Sequence, residues 1–154
     1  MVLSRAKAQP APSMKQLVPA EEPSRRDIQS ARVKRILLVD DDHRIRQIVR
    51  KALEDELGWI CEEADDGVDG VSKARALRPD LVILDLSMPI MNGYDAAKVL
   101  NREMPSVPVV MMTIYADVFV NTSIPTRKIG VKAILSKTEG ISALVDCVTK
   151  ILGN

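Results

Sequence analysis

Five short apolar runs, separated by longer stretches of helical periodicity, narrow the fold of this 154-residue chain more than any other feature. From Arg35 onward, Ile36–Val39, Trp59–Ala64, Leu81–Leu86, Val109–Thr113 and Ala133–Ser136 each end in polar or turn residues, which reads as five strands. Most are apolar on both faces, as strands must be when helices cover a parallel sheet on two sides. After the first run, Ile45, Ile48, Val49, Ala52 and Leu53 recur at helical spacing, with Asp42 placed to cap the start and Gly58 the end. The last helix repeats the pattern with Ile141, Leu144, Val145, Val148, Ile151 and Leu152 on one face. Helices at about 67–78 and 92–103 fill two further crossovers, with Pro79 and Pro105 just beyond them. Right-handed crossovers put these helices on both faces of one sheet, giving a doubly wound α/β sandwich. In such a sheet, functional groups gather at the carboxyl ends of the strands.

Residues 1–33 have a different character. Pro10, Pro12, Pro19 and Pro23 stand among Ala, Ser, Gln and charges with no periodic apolar face, so this segment is expected to be a disordered leader to a domain at 34–154. The leader carries net charge +3 and the remainder −2, which sum to the chain's +1. A near-neutral chain without a dense Lys/Arg stripe gives no electrostatic case for direct DNA binding. No apolar run reaches the length of a membrane span, and the N-terminus lacks the apolar core of a secretory signal, so a cytoplasmic protein is expected. Cys61 and Cys147 lack metal-ligand spacing and read as small buried residues.

The strand ends carry the chemistry. The first ends in Asp40-Asp41-Asp42 and the third in Asp85. If these strands are neighbours, the carboxylates repel one another unless a cation joins them, and oxygen-only ligands suit Mg²⁺ or Mn²⁺. Thr113 ends the fourth strand, and Ser136-Lys137 end the fifth, adding a hydroxyl and an ammonium. A carboxylate nucleophile, a cation site, a hydroxyl and an ammonium are the parts that phosphoryl transfer needs. Each alone has a plainer reading as a cap, a β-former or a solvated charge; their convergence at four strand ends does not. His43, the only histidine, reads as a solvated first-turn residue rather than a ligand.

Over residues 34–154 the sequence resembles the receiver domain of bacterial response regulators. The resemblance rests on Ile36-Leu37-Leu38-Val39-Asp40-Asp41-Asp42, on Ala64-Asp65-Asp66-Gly67, and on Pro79 through Pro89 with Met91-Asn92-Gly93. Val109–Thr113 and Lys137 complete it. It implies a flavodoxin-like sheet in the order 2-1-3-4-5. It also implies that Asp85 is the phosphoacceptor, taking its phosphoryl group from a sensor histidine kinase or phosphotransfer protein. By the same resemblance Asp41, Asp85 and the backbone carbonyl of Ser87 ligate Mg²⁺ or Mn²⁺ directly, and Asp40 acts through water. Lys137 pairs with Asp85 and then with the phosphoryl group, towards which Thr113 swings. Such a domain is no enzyme beyond catalysing its own phosphorylation and dephosphorylation.

The chain departs from this pattern near its output face. Ile134 stands three residues before Lys137, where relatives usually have an aromatic ring. Ile114 follows Thr113, where a small residue is usual. Pro125 lies where the helix between the fourth and fifth strands should run, and an interior proline costs roughly 3 kcal/mol. That helix, the fourth in order, is therefore expected to be short or broken. An aspartate-based phosphohydrolase would need a second Asp two residues after Asp85, where Ser87 stands, and no Gly-rich loop follows the first strand as nucleotide binding would require. A pseudo-receiver that binds partners without phosphorylation is the remaining alternative. Because the sequence ends after the last helix, the expected role is a stand-alone regulator without an output domain. It would act on an unidentified protein target by phosphorylation-dependent binding or onward phosphotransfer.

Overall fold

A computed structural model describes residues 32–116 and 126–153. Its five strands, β1 (Arg35–Val39), β2 (Ile60–Ala64), β3 (Leu81–Asp85), β4 (Val109–Thr113) and β5 (Val131–Ser136), are all parallel and lie in the order β2-β1-β3-β4-β5. Among the described residues there are four α-helices: α1 (His43–Leu57), α2 (Gly67–Leu77), α3 (Gly93–Glu103) and α4 (Ile141–Leu152). None is long and apolar enough to cross a membrane.

Strand alternation sorts the apolar runs into two cores, because successive side chains leave a strand on opposite faces. Leu37, Val39, Val82, Leu84, Val109 and Met111 pack on one face against Val71 and Ala74 of α2 and Ala96, Ala97 and Leu100 of α3. Ile36, Leu38, Leu81, Ile83, Val110 and Met112 pack on the other against Val49 and Leu53 of α1 and Leu144 and Val148 of α4. With every residue of β3 and β4 buried, truncating a leucine such as Leu84 to alanine is expected to cost about 2–5 kcal/mol.

The caps of α1 are those expected: the Asp42 side chain accepts from the Arg44 N–H at 2.8 Å, and Gly58 ends the helix at φ 65°. That left-handed backbone favours a residue without a Cβ. Some boundaries and burials differ from the sequence reading. β2 starts at Ile60, with Trp59 buried just ahead of it, and β3 stops at Asp85. β5 begins two residues earlier than expected, because a register shift between Val109 and Val110 places the exposed Lys132 inside the strand and interrupts its apolar run. Ile48, at helical spacing with the apolar face of α1, is nevertheless 56% exposed, and Cys147 is only partly buried, whereas Cys61 is fully buried. Between β4 and β5, Thr126–Ile129 form one 3-10 turn; Pro125 and the rest of the helix expected to be short or broken lie outside the described residues. The same holds for the leader, of which only residues 32 and 33 are described.

Candidate functional site at the carboxyl edge of the sheet

Because β1 and β3 are neighbours, their ends bring Asp40 and Asp85 side by side. Among the described residues the only fully buried polar side chains are Asp40, Asp85 and Thr113, and all three stand at this edge. Burying a carboxylate is costly unless it is paired and hydrogen-bonded, so such a grouping needs compensation. Lys137 supplies it: Nζ lies 2.7 Å from Asp40 Oδ2 and 3.1 Å from Asp85 Oδ1. The Asp42 N–H donates to Asp40 Oδ1 at 2.9 Å. The like-charge strain expected of a bare carboxylate cluster is thus relieved only in part by the chain's own ammonium. The sequence reading paired Lys137 with Asp85 and missed its shorter contact with Asp40.

The electrostatics follow from this geometry. Burial, then the neighbouring Asp40 charge, holds the Asp85 carboxyl above its ordinary pKa, against the pull of Lys137 and a hydrogen bond from the Ser87 backbone. Burial opposes the charge on Lys137, but its contacts with Asp40 and then Asp85 outweigh that and keep its pKa above that of an ordinary lysine.

Asp41 is exposed, yet one oxygen from each of Asp40, Asp41 and Asp85 lies within 4.8 Å of the others. All three donors are carboxylate oxygens, the donor type that small hard divalent cations prefer, so these residues fit Mg²⁺ or Mn²⁺. Ser87 is exposed and donates its backbone N–H towards Asp85. Thr113 stands at the same edge, but its hydroxyl accepts from the Tyr115 N–H at 3.0 Å in a local turn. Ile114 beside it is 61% exposed, and Ile134 is partly buried, opposite Met111 in the sheet. His43 is exposed in the first turn of α1, as expected of a solvated residue.

The loop carrying Asp85 is held from below by Gly93. Its N–H donates to the Leu86 carbonyl at 2.9 Å, and a Cβ at this position would lie 2.1 Å from the Asp85 carbonyl oxygen. Only glycine lets the start of α3 approach the loop after β3 so closely. Asn92 caps that helix by accepting from the Asp95 N–H at 2.9 Å.

One residue at the site escaped the sequence reading altogether. Arg46 lies on α1 with only 12% of its side chain exposed, reaching the Asp40 carbonyl and the Glu63 carboxylate. A signal was present: Arg46 falls at helical spacing with Val49 and Leu53, on the buried stripe, where a charge needs a partner.

Comparisons with known proteins agree with this arrangement. Response regulator GacA of Pseudomonas viridiflava is 32% identical over 117 residues, covering 74% of this chain and 53% of that protein. DNA-binding response regulator MtrA of Mycobacterium tuberculosis is 42% identical over 83 residues, 54% of this chain and 36% of that protein. The chain therefore spans about half the length, or less, of these curated relatives. Among solved structures, Vibrio cholerae chemotaxis protein CheY4 aligns with a TM-score of 0.66 at 28% identity, covering 77% of this chain and 98% of that one. Thermotoga maritima response regulator TrrA, solved in complex with Mg(2+)-BeF, aligns with a TM-score of 0.69 at 27% identity, covering 77% and 99%. Residues 36–149 match the response regulator receiver domain, and with its sheet order and buried acidic edge this chain belongs to that family of two-component signalling domains.

Proposed function

We propose that Asp85 is the residue on which this receiver domain accepts its phosphoryl group, with a phosphohistidine of a sensor kinase or phosphotransfer protein as donor. Receiver domains as a family accept phosphoryl groups on aspartate and bind Mg²⁺ at an acidic pocket. The observation that carries the assignment to Asp85 is its burial at the strand end, against Asp40 and within reach of Lys137. One Asp85 carboxylate oxygen attacks phosphorus, the bond from phosphorus to the histidine nitrogen breaks, and the imidazole leaves with that electron pair. Lys137 moves from carboxylate to phosphoryl oxygen, neutralising the charge that arrives. Thr113 exchanges its turn contact with Tyr115 for a hydrogen bond to the phosphoryl group. Asp40, Asp41, Asp85 and the Ser87 carbonyl would hold Mg²⁺ or Mn²⁺, which when bound supplies charge neutralisation for the incoming phosphoryl oxygens.

Signalling then proceeds by phosphorylation-dependent binding to a protein target, or by passing the phosphoryl group onward. The domain's near-neutral charge supports a protein target over DNA. Incubation with a cognate kinase and labelled ATP tests the reading: label is expected on the wild-type chain only with Mg²⁺ or Mn²⁺ present, and none on Asp85→Asn. Undiminished labelling of Asp85→Asn removes the assignment, and an unlabelled wild-type chain that still binds its target favours the pseudo-receiver alternative.

A further inference from the structure

We propose that Arg46 is a positioning residue for the acidic pair: it fixes the peptide between Asp40 and Asp41 and so sets the directions in which both carboxylates leave the backbone. The proposal deepens the reading that Asp40, Asp41 and Asp85 hold a divalent cation, and rests on it. Arg46 Nη1 donates to the Asp40 carbonyl at 2.5 Å, while Nε donates to Glu63 Oε2 at 2.9 Å. Glu63 is anchored in turn by Arg50, whose Nη1 reaches Oε1 at 2.8 Å and whose other terminal nitrogen donates to the Cys61 carbonyl. One planar guanidinium therefore ties the β1–α1 turn to β2 through two fixed directions, which a lysine ammonium cannot reproduce.

The Asp40 carbonyl belongs to the peptide plane that continues into Asp41. Asp40 is held at each of its other polar atoms as well: N–H to the Ala64 carbonyl at 3.1 Å, Oδ1 to the Asp42 N–H, and Oδ2 to Lys137. Asp41 is exposed, so its direction depends on the backbone that precedes it. If the peptide rotates, the carboxylates of Asp40 and Asp41 swing apart, and a cation loses part of its ligand set.

Two effects of removing Arg46 have opposite signs. As a nearby positive charge it repels a cation, so on charge alone its loss would tighten Mg²⁺ binding. As a positioning residue its loss must weaken binding. Arg50 serves as the control, because it shares Glu63 with Arg46 but does not touch Asp40.

Mg²⁺ titrations followed by the backbone amide resonances of residues 40–42 decide the matter, on full-length wild type, Arg46→Met, Arg46→Lys and Arg50→Met, with a melting curve for each. Arg46→Met is expected to weaken Mg²⁺ about tenfold, which corresponds to about 1.4 kcal/mol. Arg46→Lys should fall between it and wild type, and Arg50→Met should stay within about twofold of wild type. If Arg46→Met does not fold, the Arg46→Lys comparison decides alone. Unchanged or tighter Mg²⁺ binding in the Arg46 variants, or equal weakening in Arg50→Met, overturns the proposal while leaving the cation site standing. A wild-type chain that binds no Mg²⁺ defeats the cation site itself and this proposal with it.

Discussion

Replacing Lys137 with methionine asks whether its ammonium is what allows two carboxylates to share a buried edge. The three side chains are nearly inaccessible, at 13% for Lys137, 8% for Asp40 and 5% for Asp85. Breaking a buried ion pair by removing one partner costs about 3–5 kcal/mol, because the other charge is left uncompensated. Here two carboxylates are left, but one can take up a proton, so the lower end of that range, about 3 kcal/mol, is expected near neutral pH. For a domain of this size that is a fall in Tm of about 10 °C.

The cost must also depend on pH. Asp85 already sits above its ordinary pKa through burial and then the Asp40 charge, and without Lys137 it rises further. A carboxyl whose folded-state pKa is above its unfolded value holds its proton more tightly when folded. Stability is therefore lost as pH climbs from the unfolded value to the folded one. The deficit of Lys137→Met should be smallest near about pH 4, grow with rising pH, and level off above the raised Asp85 pKa. Mg²⁺ should recover more stability in the variant than in wild type, since it enters a site with no counter-charge of its own. Denaturant unfolding of both proteins across this pH range, with and without saturating Mg²⁺, makes the measurement. A variant as stable as wild type near neutral pH without Mg²⁺, or a deficit that does not grow with pH, would refute the reasoning.

Other features make separate predictions. Gly93→Ala forces a methyl to within 2.1 Å of the Asp85 carbonyl oxygen, so we expect a loss of about 1–3 kcal/mol in denaturant unfolding together with slower phosphorylation. Ile90 is 83% exposed at φ 68°, a left-handed backbone that costs a β-branched residue about 1–2 kcal/mol. Ile90→Gly should therefore stabilise by about 0.5–1 kcal/mol after glycine's own entropy is subtracted, and a lower Tm for the variant would contradict this. The Cys61 thiol is buried and pushed up to about 12 by desolvation, whereas Cys147 is only partly buried. A thiol reagent at neutral pH should modify Cys147 first and reach Cys61 only in denaturant, as mass analysis of partly labelled protein would show.

The sequence by itself determined most of the elements and which polar residues stand at the strand ends. Runs such as Ile36–Val39 and Val109–Thr113 are legible as parallel strands because both their faces are buried, so neither face can be polar. Asp42 and Gly58 are legible as caps because hydrogen bonding within two residues, and a left-handed backbone, are local demands. Asp40, Asp85, Thr113 and Lys137 could be placed at one edge once the runs were strands, because parallel strands all end on the same side. Tertiary structure alone decided the rest. Asp40 and Asp41 look alike in sequence, yet Asp40 is buried and Asp41 is exposed beside the site, because successive side chains leave the chain on opposite sides and the neighbours that bury Asp40 lie far off in sequence. Lys137 bridging Asp40 and Asp85 requires its side chain to pass the end of β4 from just beyond β5, and Arg46 holding the Asp40 carbonyl requires α1 to lie over β2. The start of β5 was hidden for a similar reason: the irregularity that admits Lys132 exists only in pairing with β4. Periodicity reports which face a residue occupies; which atom it meets there is settled by strand order and register, and these arise from long-range packing.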